Sequence, residues 1–178
     1  MARGFKLGLL GVLVVAAWLV SGGSCPRSEP PPAGLEPAPR VGAVAPDFSL
    51  PDLLSGEPIS LSHLRGCVVL LEFGASWCAP CRESAPWLLA LASHFQERGL
   101  VLVGVSLDRT LEAARALWNH PADLEFFPLW GSFEQAMQVA RLYAVPAIPR
   151  VFLIDRQGVI RFVGHPSELT PELIEPWL

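Results

Sequence analysis

Lysine is almost absent from this chain, because Lys6 is the only one among 178 residues. Removing Arg3 and Lys6, which stand together at the N-terminus, from the 13 basic residues leaves 11 against 17 acidic residues, a net charge of −6. The rest of the chain has no basic run, and a basic patch or stripe is the electrostatic footprint of nucleic-acid binding. The composition therefore excludes nucleic acid as a partner.

Cysteine and histidine are also scarce. Four cysteines are too few for a disulfide-dense scaffold, which small secreted domains use in place of a large core. The four histidines have no metal-ligand spacing, and a structural zinc site would lack two further ligands; they are His63, His94, His120 and His165. We expect neither a metal site nor a cofactor.

A long hydrophobic run is missing as well. Residues 7–20 are apolar or glycine, but a membrane span needs about 20 such residues. Arg3 and Lys6 precede this run, and the small residues at 21–24 follow it, which is the order of a secretory signal. Residues 1–24 are therefore predicted to be a signal peptide or, as the alternative, an uncleaved membrane anchor.

Cys25 follows these small residues directly, as does the lipid-attachment cysteine of bacterial lipoproteins, although Gly22 stands where those signals carry an apolar residue. Lipidation of Cys25 and an incidental cysteine both remain open. Residues 25–40 contain six prolines and predict an extended tether that cannot bury a core. Residues 41–178 then form one domain, exported to the periplasm or the outer face of a bacterial membrane.

Within this domain the apolar pattern predicts an α/β fold with a mixed central sheet. Buried strands at 68–73 and 101–106 flank an amphipathic helix from Cys78 to about Arg98, which indicates a parallel, right-handed crossover. Short strands are predicted at 44–50, 58–60 and 126–130, further helices at 110–119, 133–143 and 170–177, and a hairpin at 150–155 and 159–163.

Trp77-Cys78-Ala79-Pro80-Cys81 stands where the first buried strand meets this helix. If Cys78 is the first helical residue, its sulfur faces unpaired backbone N–H groups and the positive end of the helix dipole, which favour the thiolate. Cys81 lies one turn further on the same face, close enough to resolve a mixed disulfide with a client. Pro80 suits a first turn that needs no N–H, and Trp77 is expected to form an apolar wall for the client.

Several segments together resemble one family. They are Ala-Pro-Asp-Phe at 45–48, Leu-Ser-His-Leu-Arg-Gly at 61–66, residues 68–81 with their W-C-x-P-C context, and residues 144–155. This order resembles the TlpA/ResA/DsbE-like branch of thioredoxin-fold proteins over nearly all of 41–178. The resemblance implies a thioredoxin core with an N-terminal β-hairpin and a helical insertion at about 107–130. It also implies an exported, membrane-tethered thiol–disulfide oxidoreductase, of which many serve cytochrome c maturation.

The resemblance assigns roles residue by residue. Cys78 matches the nucleophile and Cys81 the resolving thiol, so the two form the redox-active disulfide. Pro149 matches the cis-proline, with Pro146 as a competing candidate, and the backbone near Ile148 would receive a client peptide as an added strand. Two positions depart from the family: Gly74 replaces a frequent aromatic residue, and Arg150 replaces a small or hydroxyl residue. Arg150 either biases the groove towards acidic clients or points to solvent.

Glu72 lies inside the apolar strand, where thioredoxins carry a buried acid. Burial raises the pKa of a carboxyl group, so Glu72 would accept the proton of Cys81 near neutral pH. The alternative is that the strand end opens and Glu72 is solvated, since glutamate is rarely fully buried.

The leading functional hypothesis is a reductase that acts on disulfide-bearing clients and draws electrons from a membrane or thioredoxin-like donor. By analogy, Ile148 and Pro80 favour reduction, and a disulfide oxidase or isomerase is the alternative. A peroxiredoxin-type peroxidase usually has threonine or serine where Ala75 stands. A copper chaperone on the same fold would use C-x-x-x-C and a distant histidine, for which His165 is the one weak candidate.

Overall fold

The computed structural model describes residues 30–118 and 124–178. The predicted signal peptide or anchor, Cys25 and the first part of the tether lie outside these residues. Within the described ranges, no helix is both long and apolar enough to cross a membrane.

Seven strands and four α-helices follow one another along the described residues. The strands are β1 (Ser49–Pro51), β2 (Pro58–Ser60), β3 (Val68–Gly74), β4 (Leu100–Ser106), β5 (Phe126–Leu129), β6 (Arg150–Ile154) and β7 (Ile160–Gly164). The helices are α1 (Ala79–Phe95), α2 (Leu111–Leu117), α3 (Phe133–Leu142) and α4 (Pro171–Ile174).

The central sheet has the order β5-β4-β3-β6-β7. Strands β3, β4 and β5 are parallel, whereas β6 and β7 are antiparallel to their neighbours. Every residue of β3 and β4 is buried, as expected for parallel strands covered on both faces. The predicted α/β fold with a mixed sheet is confirmed.

Helix α1 buries one face against this sheet, with buried residues at steps of three or four: Cys81, Ala85, Leu88, Leu91, Ala92 and Phe95. Two details differ from the expectation. Cys78 is the N-cap and not the first helical residue, because its backbone is extended (φ −86°, ψ 108°). The three- and four-residue spacing of the apolar residues predicts that Trp87 is buried, but it is 43% exposed.

The region expected as a helical insertion contains α2 and also β5, which extends the sheet. Strand β5 pairs in parallel with β4, so that β4, α2 and β5 form a second crossover. Trp118, at the end of α2, packs on Phe126, and a Cβ at Gly104 would lie only 2.6 Å from the Trp118 ring. Gly104 therefore gives the indole the space it needs in the core.

The N-terminal hairpin forms its own two-stranded sheet, β1 with β2. The first predicted strand, at 44–50, is shorter than expected, because Val44 makes only isolated bridges to Pro37 and Val159. Tyr143 connects this segment to the core, since its buried hydroxyl donates a hydrogen bond of 2.7 Å to the carbonyl of Pro46. The entering chain is thus held against α3.

Helix α3 ends in a Schellman motif that contains alanine at the left-handed position. The N–H of Val145 bonds the carbonyl of Ala140, and the N–H of Ala144 bonds that of Arg141. Ala144 has a φ of 47°, and it is the one residue other than glycine with a positive φ in the described ranges. A Cβ makes this conformation unfavourable.

We predict that Ala144→Gly stabilises the domain by about 0.5–1 kcal/mol, because glycine adopts the left-handed conformation without this strain. Urea unfolding followed by fluorescence measures the change. The matched control is Ala90→Gly on the exposed side of α1, which should cost about 1 kcal/mol. Destabilisation by both substitutions would contradict the argument.

Candidate active site

The site lies at the edge of the sheet where β3 and β4 end. Because these strands are parallel and in register, Gly74 opposite Ser106, the segments that follow them emerge side by side. The segment after β3 contains Cys78, and the segment after β4 contains Asp108. Strand β6 begins at the same edge on the other side of β3, where Arg150 pairs with Phe73.

Cys78 and Cys81 form a disulfide with a Cα–Cα distance of 5.3 Å. Cys78 is 6% exposed and Cys81 is completely buried behind it. As the N-cap, Cys78 accepts the backbone N–H of Cys81 on its sulfur at 3.2 Å. An N–H that points at this sulfur stabilises negative charge there once the disulfide is reduced. The same chemistry expected of a first helical residue is therefore available from the N-cap.

Ile148 and Pro149 face this pair from the start of β6. The Ile148–Pro149 peptide bond is cis, and Pro149 is buried. The carbonyl oxygen of Ile148 lies 3.7 Å from the Cys78 sulfur. Backbone groups beside the more accessible sulfur are thus available to an extended peptide.

Glu72 is completely buried in the middle of β3. Within the described residues, neither of its carboxyl oxygens has a hydrogen-bond partner. Loss of hydration raises the pKa of Glu72 to about 8. A Cβ built on Gly74 would lie 3.4 Å from the Oε1 of Glu72 and 3.6 Å from the Cβ of Cys81, so both groups border the same small space.

Ser76 is held by two charged side chains that the sequence pattern did not single out. Asp108 accepts the Ser76 N–H at 3.0 Å and its hydroxyl at 2.8 Å, and also the hydroxyl of Ser106 at 2.8 Å. Arg82 donates to the Ser76 carbonyl at 2.6 Å. The available signal was a polar pair, Ser106 and Asp108, at the end of a buried strand. These contacts fix the backbone immediately before Trp77.

Trp77 is 66% exposed beside Cys78. It borders an open groove of about 510 Å³, which is lined by Ser76, Trp77, Leu107, Asp108, Arg109, Thr110, Ala113 and Phe133. Pro80 is exposed in the first turn of α1. Within residues 30–118 and 124–178, no three His, Cys, Asp or Glu side chains are arranged to hold a metal ion.

Comparison with known proteins identifies the family. A family model described as the AhpC/TSA family matches residues 41–163. The chain belongs to this family. Within the AhpC/TSA family it is similar to the thiol-disulfide oxidoreductase ResA of Bacillus cereus, with 31% identity over 141 residues that cover 78% of this chain and 77% of the relative.

Solved structures similar to this AhpC/TSA member agree with the fold. A Chlorobium tepidum protein assigned as the thiol:disulfide interchange protein DsbE is 35% identical, with a TM-score of 0.61 over 71% of this chain and 85% of that protein. The thioredoxin domain of a Bacteroides vulgatus thiol-disulfide oxidoreductase is 27% identical, with a TM-score of 0.64 over 77% and 94%. The predictions of a thioredoxin-like fold, of the ResA/DsbE-like branch and of a thiol–disulfide oxidoreductase are confirmed.

The raised pKa of Glu72 predicts how stability depends on pH. The unfolded chain loses the Glu72 proton near pH 4.5, whereas the folded protein retains it until about pH 8. Stability should therefore decrease by about 1.4 kcal/mol per pH unit between these values, because the native state binds more protons. Urea unfolding of the oxidised protein, in which no active-site thiol titrates, measures this effect against Glu72→Gln.

The difference in unfolding free energy between wild type and Glu72→Gln isolates the carboxyl group from all other titrations. We expect this difference to decrease from pH 5 to pH 8 and to become constant above pH 9. A difference that is constant from pH 5 to pH 9 would show that Glu72 is ionised in the folded protein.

Proposed function

We propose that the reduced Cys78–Cys81 pair reduces disulfides of exported client proteins. The observation that carries this proposal is the unequal burial of the two cysteines. Cys78 is 6% exposed beside the Ile148 carbonyl, whereas Cys81 is completely buried. A client disulfide can therefore approach only the first sulfur, while the second waits behind it to release the client.

The exchange takes place in two steps that transfer two electrons. The Cys78 thiolate attacks one client sulfur, which forms a mixed disulfide and releases the other client sulfur as a thiolate. Cys81 loses its proton and attacks the Cys78 sulfur, which breaks the mixed disulfide and releases the second client thiolate. The client is then a dithiol, and Cys78–Cys81 is a disulfide.

Glu72 accepts the Cys81 proton in the second step. It borders the same space as Cys81, and within the described residues its carboxyl group has no hydrogen-bond partner. A pKa of about 8 places Glu72 near the range in which a general base works at neutral to mildly alkaline pH. Its base form becomes more abundant as the pH rises through 8.

The client binds as an extended strand along the backbone that precedes Pro149. Its position over Cys78 is supported by the Ile148 carbonyl, 3.7 Å from the sulfur, and by the exposed side chain of Trp77, which directly precedes Cys78. Main-chain pairing at Ile148 requires no particular client side chain, so it suits a reductase with several clients.

The catalytic domain, residues 41–178, works outside the cytoplasm at the end of the proline-rich tether 25–40. The segment 1–24, as signal or anchor, and Cys25, as a candidate lipidation site, supply the membrane attachment. In an oxidising compartment the dithiol needs a membrane or thioredoxin-like donor to be reduced again. Cytochrome c maturation is the setting that the branch resemblance favours.

The direction of exchange is tested by the reduction potential of the Cys78–Cys81 pair, equilibrated with glutathione or dithiothreitol. We expect a value of about −270 mV, because a reductant needs a disulfide that is more stable than those of its clients. A value of about −120 mV would instead assign the protein as an oxidant.

The roles of the two sulfurs are tested with a disulfide-bonded model peptide. Reduced Cys81→Ser should form a mixed disulfide through Cys78 that persists for at least 100 times longer than in wild type, since the resolving thiolate is missing. Cys78→Ser should form none, and mass spectrometry identifies the bond. Equal trapping by both variants would contradict the assignment.

The role of Glu72 is tested by the rate at which the mixed disulfide is resolved between pH 6 and pH 9. Glu72→Gln removes the proton acceptor and should slow this step by about 10²-fold, the lower value for general base catalysis. The first step should be unchanged, which provides the internal control. An unchanged resolution rate at every pH would exclude Glu72 as the base.

A further inference from the structure

We infer that the groove beside Trp77 binds the client residues next to the attacked cysteine, and that Arg109 selects a carboxylate side chain there. This inference rests on the proposed reductase function and specifies which clients it prefers. It concerns the side of the site that lies opposite Ile148.

The sheet order places this groove on the path of a bound client. Strand β3 leads to Cys78, with β6 on one side of it and β4 on the other. Ile148 stands just before β6, whereas the groove is built by the segment after β4 together with α2 and the first residue of α3, Phe133. A strand that crosses Cys78 from Ile148 therefore reaches Trp77 and then the groove.

The groove offers aromatic walls and one available cation. The guanidinium carbon of Arg109 lies 5.0 Å from the centre of the Phe133 ring. Stacking of this kind orients the planar group and leaves its N–H donors free at the edge. The exposed Trp77 forms the wall nearest Cys78.

Arg109 has no carboxylate partner within the described part of the chain. The ion pairs found there join Arg98 with Glu175, Arg141 with Glu134 and Arg161 with Asp155. Arg82 and Arg150, at the same edge as Arg109, also lack such a partner among the described residues. Among the described residues, the catalytic edge therefore has guanidinium groups without a carboxylate partner, in a chain whose net charge is negative.

Three acidic residues near this edge do not neutralise Arg109. Asp108 lines the groove, but it is completely buried and accepts hydrogen bonds from Ser76 and Ser106. Glu83 in α1 and Glu112 in the first turn of α2 are exposed, and neither lines the groove. A client carboxylate would thus bind Arg109 without competition from another carboxylate lining the groove. Its two oxygens can accept two parallel N–H donors of the guanidinium group.

The experiment uses the reduced catalytic protein and three peptides with an intrachain disulfide, identical except for Asp, Asn or Lys on both flanks. Each value of kcat/KM is divided by the rate at which dithiothreitol reduces the same peptide, which removes intrinsic differences between the disulfides. We expect the Asp peptide to exceed the Asn peptide by about two- to fivefold, the range for a partly exposed ion pair. The Lys peptide should be the slowest.

Arg109→Gln should bring the Asp-to-Asn ratio to about one, whereas Arg109→Lys should retain a preference because the charge remains. The matched control is Arg98→Gln, since Arg98 is exposed but lies before β4, at the opposite edge of the sheet. It should retain the wild-type ratio. Raising the salt concentration to 1 M should decrease the wild-type ratio towards one, because the pair is screened.

The inference is overturned if wild type reduces the Asp and Asn peptides equally, or if the preference persists in Arg109→Gln. Failure of the proposed function gives a different result, because wild type would then reduce none of the three peptides. The two outcomes are therefore distinguishable in one set of measurements.

Discussion

The parallel pairing of β3 with β4 is the constraint on which the rest of the structure depends. Both strands are buried along their whole length, so a shift of register would move apolar side chains to a different environment. This fixed register also determines which residues leave the sheet together. Cys78 follows one strand, and Asp108 and Arg109 follow the other, so core packing assembles the site before any client is present.

The two buried carboxylates near the site illustrate opposite solutions to the cost of burial. Asp108 accepts hydrogen bonds from Ser76 and Ser106, which replace the hydration that it lost. Glu72 has no such donors and therefore holds its proton to unusually high pH. A fold selected only for stability would replace Glu72 with an apolar residue of similar size. Its position beside Cys81 suits a role in proton transfer, whereas Asp108 fixes the backbone at Ser76.

The sequence was sufficient for features that depend on local pattern. Continuous apolar runs predicted β3 and β4, and the W-C-x-P-C segment predicted the dithiol. It was insufficient for features that depend on a single backbone angle or on a contact between residues far apart in the sequence. The N-cap position of Cys78 depends on one ψ angle, and the bond between Ser76 and Asp108 joins residues 32 positions apart. Trp87 has the right spacing for the core, but the structure leaves it 43% exposed.

The hydrogen bonds that hold Ser76 have a consequence for the rate of client binding. Its N–H, hydroxyl and carbonyl are all engaged by charged side chains from two elements, so the backbone before Trp77 has little freedom left to lose. Ordering a loop on association would reduce affinity, and a surface that is already rigid avoids that entropy loss. The conformational search during an encounter then falls to the partner. Flexible, incompletely folded polypeptides should therefore dock faster than compact ones that must first expose their cystine.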